Sequence, residues 1–249
     1  DGVLINSASN AKIINSIISG DNGVAISNGE NVVVKDTQIV NSTNGIQVTG
    51  SNDTVIDMVS VVNSTKNGVY LKGSNGTVIS NSLFENNGVD PYFSEANNIL
   101  LDGNENTVIV NNTINYGYFG LYFKNTNKNT IVDNNVIYEG IGDAIYLSGR
   151  YIGLNITHNS IEGCFMGVNF NGYSEDVEVL SNLIWKIHSH EGEPQSGREY
   201  DLFYNFRHTT DLYGQYDNAI QVFELASNFH GEVHIENNVC VLVEHRAWE

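Results

Sequence analysis

The segment Thr107-Val108-Ile109-Val110-Asn111-Asn112-Thr113-Ile114 recurs along this chain. Counterparts run from Thr54 to Val61, from Thr77 to Phe84 and from Thr130 to Ile137. Followed outward in both directions, its last apolar residue defines one column: Ile18, Ile39, Val61, Phe84, Ile114, Ile137, Ile161, Ile184 and Cys240. The steps between them are 21, 22, 23, 30, 23, 24, 23 and 56 residues. A fixed internal period of this size is the mark of a solenoid. A second segment repeats in phase with the first, reading Gly-apolar-x-apolar: Gly23-Val24-Ala25-Ile26, Gly45-Ile46-Gln47-Val48, Gly68-Val69-Tyr70-Leu71, Gly120-Leu121-Tyr122-Phe123 and Gly167-Val168-Asn169-Phe170.

Alternating apolar residues, many β-branched and bounded by Asn and Gly, form strands, and the i, i+3, i+4 stripe of a helix is missing. About three short strands per period predict an all-β parallel β-helix: a single-stranded solenoid of about nine rungs, each strand stacked on its copy in the next rung. Two places before the anchor column stand Asn112, Asn135, Asn159, Asn182 and Asn238. A side-chain amide carries donors and acceptors, so stacked amides at a turn satisfy one another. An Asn ladder is therefore expected there.

Bulk composition bounds function. Net charge is −18, from 29 acids against 11 bases. That excludes ordinary nucleic-acid binding, which rests on phosphate neutralisation, and disfavours a polyanionic glycan unless a cation bridges. No apolar run approaches the ~18 residues of a membrane span. No basic-then-apolar leader opens the sequence, so a secretion signal is expected to have been removed or to lie outside it. The whole of 1–249 reads as one β-helix domain and as a fragment of a longer secreted protein. Cys164 and Cys240 fall two repeats apart at different offsets, roughly 10 Å or more at ~4.8 Å per rung, beyond disulfide reach. Two free, mostly buried thiols are expected.

The Asn-Asn-x-Ile turn followed by Asn-Gly-Ile-x-Leu-like strands resembles the right-handed parallel β-helix repeats of the pectate-lyase-like superfamily. The Asn-rich runs, such as Asn41-Ser42-Thr43-Asn44-Gly45-Ile46, are similar to those of adhesin-like surface proteins of methanogenic archaea. The resemblance implies right-handed winding, in line with the chirality of parallel crossovers. It also implies an extracellular or cell-surface location. It is specific for fold; the scaffold serves lyases, hydrolases, epimerases, tailspikes and inert stalks.

In that superfamily the Gly-apolar-x-apolar strand corresponds to the sheet that carries substrate. Its outward positions form two columns: Ala25, Gln47, Tyr70, Leu100, Tyr122, Tyr146, Asn169, Gln221, and Ser27, Thr49, Lys72, Asp102, Lys124, Ser148, Asn171, Phe223. The tyrosines are either stacked β-formers or a flat aromatic platform for sugar rings. Lys72, Asp102 and Lys124 read as a solvated charge ladder.

The two long steps mark insertions, 86–96 and 185–217, each ending where an outward-column strand begins. They leave the scaffold at one turn, four rungs or roughly 19 Å apart, and so frame a groove. Its floor is expected to be Tyr122, Tyr146 and Asn169, with Lys124, Ser148 and Asn171 beside them, Arg150 at the edge of the sheet and Asp143 on the rim. Tyr70 is a further ligand-binding candidate, as are Tyr92 in the first insertion and Arg198 and Tyr204 in the second. The second insertion concentrates the His and Arg that the scaffold lacks, and loops on repeat scaffolds gather on the binding face.

Acid–base roles would fall to Asp143, His188, His190, Glu191 or His208, since glycan cleavage needs a placed acid and base. Gly142-Asp143-Ala144-Ile145 echoes the Gly-Asp-Asp stretch of polygalacturonases with one acid missing. Gly88-Val89-Asp90-Pro91-Tyr92 is similar to the Asp-Pro-His segment of alginate epimerases, with Tyr92 in place of the His. No cofactor is expected and no metal site is assigned, with a divalent cation left open. His188-x-His190-Glu191-x-Glu193 offers the ligand types that zinc and copper use, without a known signature. Asn-x-Ser/Thr sequons at Asn41, Asn52, Asn63, Asn75, Asn111 and Asn155 permit glycosylation in a secreted setting. The leading expectation is an adhesin-like surface protein holding a glycan or a partner. A polysaccharide lyase, hydrolase or epimerase is the alternative, and a filament or envelope subunit associating end to end the next.

Overall fold

A computed structural model of the chain describes residues 1–88, 96–185, 220–222 and 233–241. Among them all regular structure is strand. Three strands per turn wind round one core, and each pairs in parallel with its copies one turn away. The first strip runs from Val3–Asn6 through Asn22–Ser27, Asn44–Thr49, Asn67–Lys72 and Asn97–Asp102, and on to Ile220–Val222. The second runs from Lys12–Ile14 to Val233–Glu236. First and second strips share one 16-stranded sheet, because Phe119–Asp133 and Ile145–Thr157 continue unbroken from one strip into the other. The third strip is a separate nine-stranded sheet from Ile17–Ile18 to Val239–Val241, and nine stacked strands enclose eight full turns.

The anchor column stacks in unbroken register from Ile18 to Cys240. Neither the step of 30 nor that of 56 shifts it by a residue. Inward side chains of one rung, Val69, Leu71, Ile79 and Phe84, are fully buried. Each contributes ~1.5–3 kcal/mol of apolar burial, and the stack repeats that contribution rung after rung.

The Asn-Asn dipeptide has two separate duties. Its first residue takes the left-handed conformation that turns the chain from second to third strip: φ is 57° at Asn111, 53° at Asn134 and 56° at Asn237, where Asn is tolerated better than most residues. Its second residue is buried and builds the ladder. The Asn135 side-chain oxygen accepts from both the backbone N–H and the amide of Asn112, each at 3.0 Å. The same double contact repeats through Asn159 and Asn182 to Asn238 at 2.8–3.0 Å. Each amide also donates to a carbonyl of an earlier rung, such as Asn159 to Val132 at 2.9 Å. Burial is thus fully compensated.

A second ladder, between first and second strips, runs Ser51, Ser74, Asn104, Asn127. One turn on, Tyr151 fills the slot, paired with Asn127 and wholly buried. Its hydroxyl accepts from the Gly149 N–H at 2.9 Å. A Cβ at Gly172 would come within 2.4 Å of that hydroxyl, so glycine there makes room for the phenol.

Both cysteines are free, but Cys240 is exposed, against the expectation of two mostly buried thiols. It occupies the anchor column in the last described strand, and no further described strand stacks on it.

Candidate functional site

The first strip opens with Asp1 and then, in four successive rungs, with an Asn, and these side chains form a ladder that begins with Asn22 donating to Asp1 at 2.8 Å. Asn44 donates to Asn22 at 3.0 Å, Asn67 to Asn44 at 3.0 Å and Asn97 to Asn67 at 3.2 Å. The next rung places Phe119 in register with Asn97, and the rung after places Asp143 there, its carbonyl accepting from the Gly120 N–H at 3.2 Å. The amide ladder ends at this break. The Asn97 oxygen is left buried with no partner among the described residues.

Aromatic rings occupy the break. Phe119 stacks on Tyr146 with centroids 4.7 Å apart and planes at 21°. Tyr122 lies 5.3 Å from Tyr146 and 5.5 Å from Phe119, and Tyr118 meets Phe119 edge-on at 4.6 Å. Tyr122 and Tyr146 are paired across the strands, so the strip presents three partly exposed rings over two adjacent rungs. The Tyr146 hydroxyl accepts from the Asn171 amide at 3.0 Å, fixing its ring.

Asp143 lies beside this cluster and is buried, 4% exposed. Asn169, directly above Tyr146, is itself buried and donates to Asp143 Oδ2 at 2.8 Å, while its own oxygen has no partner among the described residues. Burial pushes the Asp143 carboxyl up to about 7, the Asn169 bond opposing that rise. Desolvation, with Asp143 nearby, holds the Tyr118 phenol up at about 12. Burial likewise raises Tyr146, and the buried Cys164 thiol lies at about 12. The site thus holds a carboxyl poised near neutrality against an aromatic surface, with neighbours that stay protonated.

The other sequence candidates divide. Lys124 stands in register between Asp102 and Ser148, one column over from the rings. Tyr70 lies three rungs before Tyr146 and donates to Asp102 at 3.1 Å. Asp102 is buried and also accepts from Asn125, so the Lys72–Asp102–Lys124 column is no simple solvated ladder. Arg150 sits at the passage to the second strip, 3.3 Å from Glu175 and 4.7 Å above the Tyr173 ring. His188, His190, Glu191, His208, Tyr92, Arg198 and Tyr204 lie outside the described residues. So do both stretches that join third to first strip across the long steps, 89–95 and 186–219. Among the described residues no three His, Cys, Asp or Glu side chains converge as a metal site requires.

Sequence reasoning overlooked Phe119 and Tyr118. The signal was present as the loss of Asn from the Asn-Gly-apolar pattern at Phe119-Gly120-Leu121. It also overlooked a cleft of about 450 Å³ beside the third strip, lined by Glu85, Asn115, Tyr116 and Glu139 among others. That cleft shares no side chain with the aromatic strip.

The comparisons bear first on fold. Variant AlgG, a periplasmic alginate epimerase, is 10% identical with a TM-score of 0.56, over 96% of this chain and 47% of that one. The Dettilon tailspike protein is 13% identical with a TM-score of 0.55, over 96% and 54%. The surface protein and adhesin PfbA of Streptococcus pneumoniae is 16% identical with a TM-score of 0.51, over 89% and 67%. The chain spans about half the length of the first two. No curated protein matches it by sequence. The family described as right handed beta helix region matches residues 22–184. With two thirds of its length inside that match and three parallel strips in unbroken register, this chain belongs to the right-handed β-helix family.

Proposed function

We propose that this chain is an extracellular, adhesin-like surface protein that holds a glycan chain along the first strip. The observation that carries this reading is the ring cluster of Phe119, Tyr122 and Tyr146, partly exposed where the amide ladder stops. Flat aromatic surface accepts the apolar faces of sugar rings, and nearby amides such as Asn171 bond hydroxyls. The surface adhesin and the tailspike among the structural neighbours are consistent with it.

A second reading, a polysaccharide-active enzyme, is favoured by one observation, the Asp143 carboxyl near 7, the range a general acid or base needs. A panel of soluble polysaccharides in affinity electrophoresis, with product release assayed in parallel, tests both. Each ring should contribute ~0.5–1.5 kcal/mol. Tyr122→Ala with Tyr146→Ala should therefore weaken retention roughly tenfold or more, at ~1.4 kcal/mol per tenfold. Retention by no member of the panel, or retention indifferent to both substitutions, would overturn the binding reading. Product release abolished by Asp143→Asn would move the assignment to the enzyme.

A further inference from the structure

We infer that the aromatic strip selects an uncharged pyranose chain over a polyuronate, and that Asp143 enforces the choice. The inference rests on the glycan reading above and adds the substrate class. Its first ground is position. Four rungs of the first strip open with a neutral Asn, and the fifth with Phe119. Beyond Asp1, which opens the strip ahead of them and accepts from Asn22 at 2.8 Å, an acid returns to this column in the rung after Phe119, at the ring cluster. Its oxygen is held from one side by Asn169 at 2.8 Å, so the charge is fixed beside the rings and cannot swing into solvent.

The second ground is that the described bases nearest the rings are already engaged, while Lys72 lies two rungs before Lys124 in the neighbouring column. Among the described bases, Arg150 is committed to Glu175 and the Tyr173 ring, and Lys128 to Glu105 at 2.8 Å. Lys124 is engaged and shares its column with the buried Asp102. A uronate laid on Tyr122 and Tyr146 would bring its carboxylate towards Asp143 in a poorly screened setting, whereas a neutral sugar meets rings and amides alone. Like charges at a few ångströms in a partly buried site repel appreciably, and the chain's net charge of −18 adds to the same bias at longer range.

The discrimination should depend on pH. The groups that face Asp143 are Tyr118 from the rung below, Tyr146 from its own rung, and Asn169 and Cys164 from the rung above. None of them changes charge between pH 5 and pH 8, taken as round assay values about the carboxyl's own midpoint. Asp143 does, since burial places it at about 7.

The experiment compares retention of a neutral xylan and a neutral β-glucan with that of polygalacturonate and alginate, at both pH values, without divalent cations. The native protein should hold a neutral polymer at least ~10-fold more tightly than either uronate at the higher pH, about 1.4 kcal/mol. That ratio should narrow at the lower pH, where the polymer stays ionised and Asp143 does not. Asp143→Asn, which restores the residue type that opens the earlier rungs, should narrow the ratio at the higher pH by tightening the uronates. Uronates held as tightly as neutral polymers, or a ratio unmoved by both pH and Asp143→Asn, overturns the inference while the glycan reading stands. Retention of neither class overturns both.

Discussion

Replacing Asp143 by Asn should stabilise this protein, and by an amount that grows with pH. Burial pushes the native carboxyl up to about 7, against 3.8 for a solvated aspartate. Below the unfolded value both states are protonated and the group is neutral in its effect. Between the two values the native state keeps its proton while the unfolded chain releases it, so stability falls as pH rises. Above about 7 the full cost stands. Three pKa units at ~1.36 kcal/mol each set a ceiling of about 4 kcal/mol. An effective interior dielectric well above that of dry protein makes about half of that the expected value. For a chain of this size ~2 kcal/mol corresponds to about 4–8 °C in melting temperature. Melting curves of native protein and variant across the acid-to-neutral range provide the test. Taking the difference between the two cancels the other 28 acids, since the sequence has 29 Asp and Glu in all. A melting difference that stays constant across the range would refute the assignment of a buried, upward-shifted carboxyl.

Two further outcomes are expected. Asn159→Ala removes the acceptor of the Asn135 N–H and the donor to the Val132 carbonyl, both buried; at ~1–3 kcal/mol for each group left unsatisfied, it should cost about 3–5 kcal/mol in chemical unfolding. Asn111→Ala, exposed at the equivalent turn two rungs earlier with φ 57°, should cost only about 1 kcal/mol, and equal costs would refute the ladder's role. With a thiol-reactive chromophore, one cysteine per native chain should react, the exposed Cys240, with Cys164 following only on unfolding; two fast equivalents would show that the interior at Cys164 is open.

The rung order was legible because each turn obeys the same two constraints. An inward apolar residue must meet its copy, and an Asn must either turn the chain or satisfy the turn. Ile114, Asn111 and Asn112 carry all of that information, so pairing residues follow from counting. The site was legible only in outline. Tyr122 and Tyr146 could be placed in one column by register, but a column does not report ring geometry, and Phe119 entered from a different column. The pairing of Asp143 with Asn169 spans 26 residues and two columns, so no periodicity announces it. The burial of Asp102 depends on Tyr70 and Asn125 reaching across rungs, where the sequence shows only alternating signs of charge.

The unbroken register has a consequence for how such a molecule can change. Because strands before and after both long steps pair as if nothing intervened, length along the axis is quantised. Duplicating or deleting one whole period moves everything beyond it by about 4.8 Å and leaves each retained turn with neighbours of the kind it already has. The distance between the two interrupted turns is therefore set by a whole number, four, and not by the detailed fit of any side chain. A lineage could lengthen or shorten its ruler in such increments while the chemistry at Phe119, Tyr122 and Tyr146 stayed untouched.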